Sequence, residues 1–321
     1  MIRLFLKLLP VLALFAGYYY AQKNGLIGTG SSQPAVEGGP QQALPPADRT
    51  SATIKIASFN IQVFGEEKVK DAKTTDVLVK IIRGFDVVAI QEIRAKDPQF
   101  IPRFVQQVNS TGMQYSFALG PRLGNTTSQE QYAFLFNLAR VEIDPTSVYT
   151  VGDPANMLHR EPLVAGFRTR AAPPGEAFTF TLVNMHTDPD VAKAECDALA
   201  AVFRAVRDDG RGEDDIILLG DFNANPENMG QLRALPYISY VVSGVPTMVE
   251  GNRTNDNILF DRRATTEFVN WDIVNVMRLY NLTQAEVLKV SDHLPVWADF
   301  SIYERGRPGS LVTRPTQAQS R

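Results

Sequence analysis

Apolar residues recur along the chain in two rhythms, short unbroken or alternating runs and longer stretches with helical spacing. Ile216, Ile217, Leu218 and Leu219 stand in a row and lead at once into Gly220, Asp221, Phe222 and Asn223. That run predicts a strand buried on both faces, ending in a loop that bears a carboxylate and an amide. Alternation over residues 54–60 puts Ile54, Ile56 and Ser58 on one face of a first strand, and residues 85–91 make a second apolar strand. Residues 115–119 and 132–137 predict neighbouring antiparallel strands across the polar loop 124–130. Residues 163–170 and 178–184 predict a hairpin about Pro173, Pro174 and Gly175, and residues 296–302 a closing strand. Helical spacing marks residues 74–83 through Val77, Leu78, Ile81 and Ile82, residues 98–108, and residues 191–206. The last is the clearest helix, with Ala194, Ala198, Leu199, Val202, Phe203 and Val206 on its apolar face. Strands and helices alternate in both halves. The expected fold is therefore α/β, an α+β four-layer sandwich of two packed mixed β-sheets flanked by helices.

The two ends stand apart from this pattern. Arg3 and Lys7 precede an uncharged stretch closed by Tyr18, Tyr19 and Tyr20. Residues 4–21 would make a helix of about 27 Å, just long enough to span a bilayer. A cleaved signal peptide is the competing reading, but no small-x-small cleavage site follows, and the tyrosines suit an interfacial belt. Residues 1–23 are thus expected to be a membrane anchor or signal peptide, placing the rest outside the cytoplasm, tethered or secreted. Residues 24–51 and 304–321, rich in Gly, Pro, Ser and Gln, read as a disordered linker and tail around one catalytic domain at 52–303.

Composition narrows the classes further. With 32 Lys and Arg against 35 Asp and Glu the net charge is −3, so bulk positive charge does not coat nucleic acid, although local grip on phosphates is not excluded. Cys196 is the one cysteine, which rules out an intramolecular disulfide or a thiolate metal cluster; it sits among apolar helix positions as a small core residue. Nothing marks a protein partner, and a monomer is expected.

Polar groups recur where the apolar strands end. Asn60 follows the first, Glu92 the second, His186 the strand after the hairpin, Asp221 and Asn223 the central run, and Asp292 with His293 precede the last. Singly, each has a plain structural reading as a turn former, a cap or a satisfied core histidine. Together they would converge on one rim if the strands are adjacent. Asn60, Glu92, Asp221, Asn223 and Asp292 offer only oxygen donors, which suit Mg²⁺, Mn²⁺ or Ca²⁺. Two histidines beside them suit proton transfer near neutral pH, and the set fits hydrolysis of a phosphate ester.

The strings Ser58-Phe59-Asn60-Ile61, Gln91-Glu92, Gly220-Asp221-Phe222-Asn223 and Ser291-Asp292-His293-x-Pro295-Val296 together resemble the endonuclease/exonuclease/phosphatase superfamily. Within it, Phe64-Gly65-Glu66, the stretch 119–136 with Glu130 and Tyr132, and Arg160-Glu161-Pro162 look most like pancreatic-type deoxyribonucleases. The resemblance implies that Asn60 and Glu92 form a first metal site, with Asp221, Asn223 and Asp292 a second polar and metal-binding group. It implies that His186 and His293 are the catalytic histidines, oriented by Glu130 and Asp256 respectively, and that Arg160 contacts phosphate. It also implies water attack on DNA that leaves a 5′-phosphate and a 3′-hydroxyl.

Departures from the family pattern bear on substrate rather than chemistry. The chain lacks the family's disulfides, and Gln62 and Ser128 stand where an arginine and a tyrosine meet the minor groove. His159 has no role implied by the resemblance. Two other readings compete with a DNA endonuclease. A lipid or inositol phosphodiesterase would suit the anchor, but no long basic or aromatic insertion accompanies it. A noncatalytic binding module would have no physical need for every ligand and both histidines.

Overall fold

The computed structural model describes residues 52–306 except 172, together with the backbone of Ala35–Val36. The expected N-terminal anchor, most of the linker and the tail beyond residue 306 lie outside the described residues. Among the described residues no helix is long and apolar enough to cross a membrane.

Among the described residues thirteen strands form two sheets. In chain order they are β1 (Ala35–Val36), β2 (Thr53–Phe64), β3 (Val87–Ile93), β4 (Tyr115–Leu119), β5 (Gln131–Asn137), β6 (Val141–Thr150) and β7 (Leu163–Thr169). Then follow β8 (Thr179–His186), β9 (Ile216–Asp221), β10 (Ile238–Tyr240), β11 (Asp256–Asp261), β12 (Phe268–Ile273) and β13 (Val296–Ser301). One sheet runs β1-β4-β5-β3-β2-β13-β12, the other β10-β11-β9-β8-β7-β6. Helices cover them: α1 (Ala72–Arg83), α2 (Phe100–Val108) and α4 (Gln284–Val290) lie on the first sheet and α3 (Ala192–Arg207) on the second, with shorter helical turns beside them.

Burial explains the layering. Ile54 and Ile56 of β2, Phe134 and Phe136 of β5, and Phe167, Phe180, Ile217 and Leu219 from the other sheet interlock between the sheets. The alternate residues Ala57, Phe59 and Ile61 of β2 pack outward against α1 and α2, and Leu218 packs against α3. Both faces of the central strands are therefore apolar, as the unbroken runs predict. The four-layer expectation is borne out. Cys196 is fully buried in the α3 layer.

Several boundaries and one helical face differ from expectation. The second helix begins at Phe100, not at residue 98, and β2 runs on to Phe64. Ala194 is exposed, while Ala192 and Glu195 are buried on α3. Glu195 turns inward because its carboxylate accepts the backbone N–H groups of Asp188, at 2.6 Å, and of His159. The apolar pattern does not predict strands β6, β10, β11 and β12, nor β1, which lies within the expected linker and pairs with β4.

Beneath the rim a polar bridge crosses the apolar interior. Gln91 Nε2 donates to Asn184 Oδ1 at 2.7 Å, linking β3 to β8 of the facing sheet. Asn184 Nδ2 in turn donates to the carbonyls of Ile90 and Ala133, each at 3.1 Å. Removing one partner of a buried bond costs about 1–3 kcal/mol per orphaned group. Asn184→Ala should lower stability by about 2–4 kcal/mol in a urea titration, and an unchanged midpoint would refute the bridge's structural role.

Candidate active site

The topology brings the polar strand ends together. β2 and β3 are parallel, as are β8 and β9, so the C-terminal ends of each pair lie side by side. β11 and β13 are antiparallel to β9 and β2, so their N-terminal ends join the same rim. Register places His186, Asp221 and Asp256 in one row across β8, β9 and β11. Asn60 lies opposite Gln91 in the other sheet. Rigid strands thus deliver Asn60, Glu92, His186, Asp221, Asp256, Asp292 and His293 to one place.

Asp221 is the centre. Its Oδ2 accepts from Asn60 Nδ2 at 3.0 Å and lies 3.4 Å from His186 Nε2 and 3.5 Å from His293 Nε2. Each imidazole is held from behind. His186 Nδ1 lies 2.7 Å from Glu130 Oε1, and His293 Nδ1 lies 2.9 Å from Asp256 Oδ2. A carboxylate at Nδ1 fixes the ring plane and leaves Nε2 facing the rim. Tyr132 supports the first histidine from below, its hydroxyl accepting the His186 N–H at 3.0 Å. Ser291 supports the second, donating its hydroxyl to the Asn60 carbonyl at 2.7 Å and accepting the His293 N–H at 3.0 Å.

The charges follow from burial and neighbours. Burial alone would lower both imidazole pKa values, but Glu130 and Asp221 raise that of His186, and Asp256 with Asp221 raise that of His293 to about 10. Burial also works against the Glu92 carboxylate. His186, the Val63 N–H, the Asn60 amide and Arg94 together outweigh it and hold Glu92 below its ordinary value.

Three backbone positions at the rim are left-handed without being glycine: Val63 at φ 52°, Glu92 at φ 60° and Asn223 at φ 45°. The surroundings hold them there. Val63 donates its N–H to Glu92 Oε2 at 2.9 Å, and Asn223 donates its N–H to Asp221 Oδ1 at 2.9 Å. Such conformations cost about 1–3 kcal/mol each and persist where the neighbours over-determine them. Gly220, at φ 153°, has a different reason: a Cβ there would stand 1.9 Å from the Met185 carbonyl oxygen.

Asn60, Glu92 and Asp292 fit a divalent cation. Asn60 Oδ1 and Asp292 Oδ1 are buried without a hydrogen-bond partner, and Glu92 is an ionised carboxylate beside Asn60. All the donors are oxygens, as hard cations require. Oxygen and nitrogen atoms of Asp221, Asp256 and His293 also cluster within 4.8 Å, but Asp256 is committed to His293 and Asp221 to both rings. Asn223 stands on the histidine side, donating to the Thr187 carbonyl at 2.9 Å, rather than beside Glu92.

Arg160 is placed differently from a residue reaching out to phosphate. It is buried, with Nε 3.3 Å from Glu130 Oε1 and donating to the His186 carbonyl at 3.2 Å. Arg94 was missed in the sequence, where it looks like any charge after a strand. Its Nη2 lies 3.3 Å from Glu130 Oε2 and 3.5 Å from Glu92 Oε2, and it also contacts exposed Ser128. His159 packs near Asp188, with 3.7 Å between Nδ1 and the carboxylate.

Comparison with known proteins agrees with this geometry. Human deoxyribonuclease gamma is 29% identical over 266 residues, covering 77% of this chain and 86% of that protein. Human deoxyribonuclease-1-like 2 is 29% identical over 279 residues (77% and 91%), and chicken (Gallus gallus) deoxyribonuclease-1 is 27% identical over 267 residues (77% and 92%). Among solved structures, the human Nocturnin catalytic domain superposes with a TM-score of 0.55 at 16% identity, covering 78% of this chain and 94% of that one. An endonuclease/exonuclease/phosphatase family protein from Bacteroides thetaiotaomicron gives 0.53 at 12% identity (77% and 97%). These two show the shared fold.

Two outcomes are expected from the site's physics. Gly220→Ala should destabilise the protein by more than about 2 kcal/mol in thermal or chemical denaturation, because the clash is with backbone and φ is unfavourable. A neutral result would show that β8 and β9 can separate. In Asp256→Asn the His293 pKa, followed by NMR, should fall from about 10 towards 6.5. The sign for stability follows by linkage. A raised folded-state pKa gives stability that is full below 6.5 and lost as pH rises through about 10, and the variant should lack that loss.

A model of the Endonuclease/Exonuclease/phosphatase family matches residues 57–293, nearly the whole described region, and the chain belongs to that family.

Proposed function

We propose that the chain is a divalent-cation-dependent phosphodiester hydrolase that cuts DNA internally and leaves 5′-phosphate ends. The observation that carries the reading is the pair of imidazoles, each backed by its own buried carboxylate, converging on Asp221 Oδ2. In-line hydrolysis needs one group to take the proton of the attacking water and another to protonate the leaving oxygen. His186 and His293 divide these two roles through Nε2, while Glu130 and Asp256 stabilise the imidazolium form of each.

Asp221 spaces the two rings, and Asn60, hydrogen-bonded to both Asp221 and Glu92, ties the histidine half to the carboxylate half. Asn60, Glu92 and Asp292 are assigned as the cation's ligands, with Mg²⁺ or Mn²⁺ as the preferred ion and Ca²⁺ as a further candidate. Bound there, such an ion neutralises phosphate charge and acidifies water. Arg94 supplies fixed positive charge beside Glu92, suited to the nonbridging oxygens of the phosphate, while Arg160 sits behind Glu130 and holds that carboxylate against His186. The N-terminal segment is assigned to anchoring or export, which would place the domain outside the cytoplasm as a monomer.

DNA is favoured as substrate because deoxyribonucleases are the relatives that match along the chain. The test is nicking of supercoiled plasmid by purified protein with magnesium or manganese. His186→Ala and His293→Ala should each lower the rate by at least about 10²-fold while the fold is retained by circular dichroism. EDTA should abolish nicking. Full activity in either variant, or in chelator, would refute the assignment. Intact plasmid with continued hydrolysis of a chromogenic phosphodiester would move the substrate to lipids or nucleotides.

A further inference from the structure

Two irregular segments meet behind His186. Arg160 lies on the connection between β6 and β7, residues 151–162, and residues 187–191 lead from the end of β8 at His186 into α3. The first connection is closed at its base, where the Val151 N–H donates to the Pro162 carbonyl at 3.0 Å. Beyond that closure its path depends on the contacts of its own residues. Leu158 supplies one of them, buried in the α3 layer. Arg160 must nevertheless stand where its Nε meets Glu130 Oε1 at 3.3 Å and the His186 carbonyl at 3.2 Å. A further contact has to fix this connection against the segment that follows His186.

Glu195 makes that contact. It lies in the first turn of α3, where the helix N-terminus favours a negative charge, and it is only 2% exposed. Its Oε1 accepts the N–H of His159, the residue before Arg160. Its Oε2 accepts the N–H of Asp188, two residues after His186, at 2.6 Å. One carboxylate thus spans the two segments with one oxygen for each, and hydrogen bonds to an ionised acceptor are about twice as strong as neutral ones. Burial works against the Arg160 guanidinium, and Glu130, Tyr132 and Glu195 offset it. The contacts then run in series from Glu195 to the Arg160 segment, from Arg160 to Glu130, and from Glu130 to His186 Nδ1 at 2.7 Å. His293 stands outside this series, because Asp256 and Ser291 hold it from other elements.

We propose that Glu195 is a positioning residue for catalysis, clasping the Arg160 segment to the segment after His186 and so setting the aim of His186 but not of His293. The inference rests on the role proposed above for His186. A carboxylate is required rather than its shape alone. A glutamine in the same place has one acceptor oxygen, and its NH₂ group would face the second backbone N–H donor to donor. Both Glu195 oxygens are committed to backbone, so the loss of the clasp falls on kcat rather than on KM.

The experiment compares the full-length protein with Glu195→Gln, Glu195→Ala and Val206→Ala. Val206 is buried in the same helix about 16 Å further on, and its truncation supplies a loss of stability without a loss of the clasp. Plasmid nicking with magnesium gives kcat and KM. Proton NMR reads the downfield signals of the two carboxylate-bound Nδ1–H groups, assigned with His186→Ala and His293→Ala. Glu195→Gln should lower kcat about 10- to 100-fold with KM unchanged. Its His186 signal should vanish or move upfield while the His293 signal stays. Val206→Ala should melt lower and keep kcat and both signals. If Glu195→Ala does not fold, Glu195→Gln alone decides. A parental kcat in Glu195→Gln, a raised KM in place of a lowered kcat, or loss of both histidine signals together would overturn the proposal. So would loss of the His186 signal in Val206→Ala, which would make it a sign of general loosening. A parent that does not cut plasmid would refute the DNA substrate, and the NMR comparison would still decide the clasp.

Discussion

One carboxylate oxygen, Oδ2 of Asp221, lies within reach of an amide and two imidazoles drawn from both sheets. A charge so deeply buried is tolerable only if every neighbour is placed to stabilise it. That requirement propagates outward. The imidazoles must be oriented, so Glu130 and Asp256 are buried behind them. Glu130 is itself a buried charge, and Arg94 and Arg160 answer it. Asn60 must face two carboxylates at once, and the Ser291 hydroxyl on its carbonyl helps to anchor it. The polar rim works as one connected arrangement resting on an apolar sandwich.

The sandwich explains how the arrangement is held in place. Each central strand is apolar on both faces, locked between the facing sheet and a helical layer, and it ends abruptly in the functional residue. The left-handed conformations at Val63, Glu92 and Asn223 sit just past these locked segments. There the chain is gripped firmly enough to bear the cost. The Gln91–Asn184 bridge ties the two sheets immediately below, so the halves of the site cannot slide independently.

Much of this was legible in the sequence because burial on two faces leaves an unmistakable apolar run. Ile216 to Leu219 and Phe134 to Phe136 could hardly be anything but interior strands. The strands that escaped notice are mostly peripheral. β12 and β10 are only half-buried, and β6 has exposed residues at its centre, so no face carries a clean apolar signal. β11 is interior, but its apolar part is only Ile258 to Phe260, too short to stand out. Ala194 was misplaced because alanine suits either face of a helix, whereas the inward turn of Glu195 depends on backbone N–H groups far along the chain. The same limit applies to the site. Residues that end strands announced themselves, while Arg94 and the buried setting of Arg160 depend on Glu130, a through-space relation that spacing does not encode.

Cys196 lies in the middle of the α3 layer, and burial pushes its thiol up to about 12. A thiol that is both hidden and protonated does not react with alkylating reagents while the fold is closed. Since no other cysteine competes, covalent labelling becomes a clock for the opening of that layer, with one event per molecule and no engineered probe. When reclosing is fast, the labelling rate measures the population of the opened form rather than the speed of opening. The native chain therefore carries its own reporter of conformational stability, readable by mass spectrometry even in mixtures where spectroscopy fails.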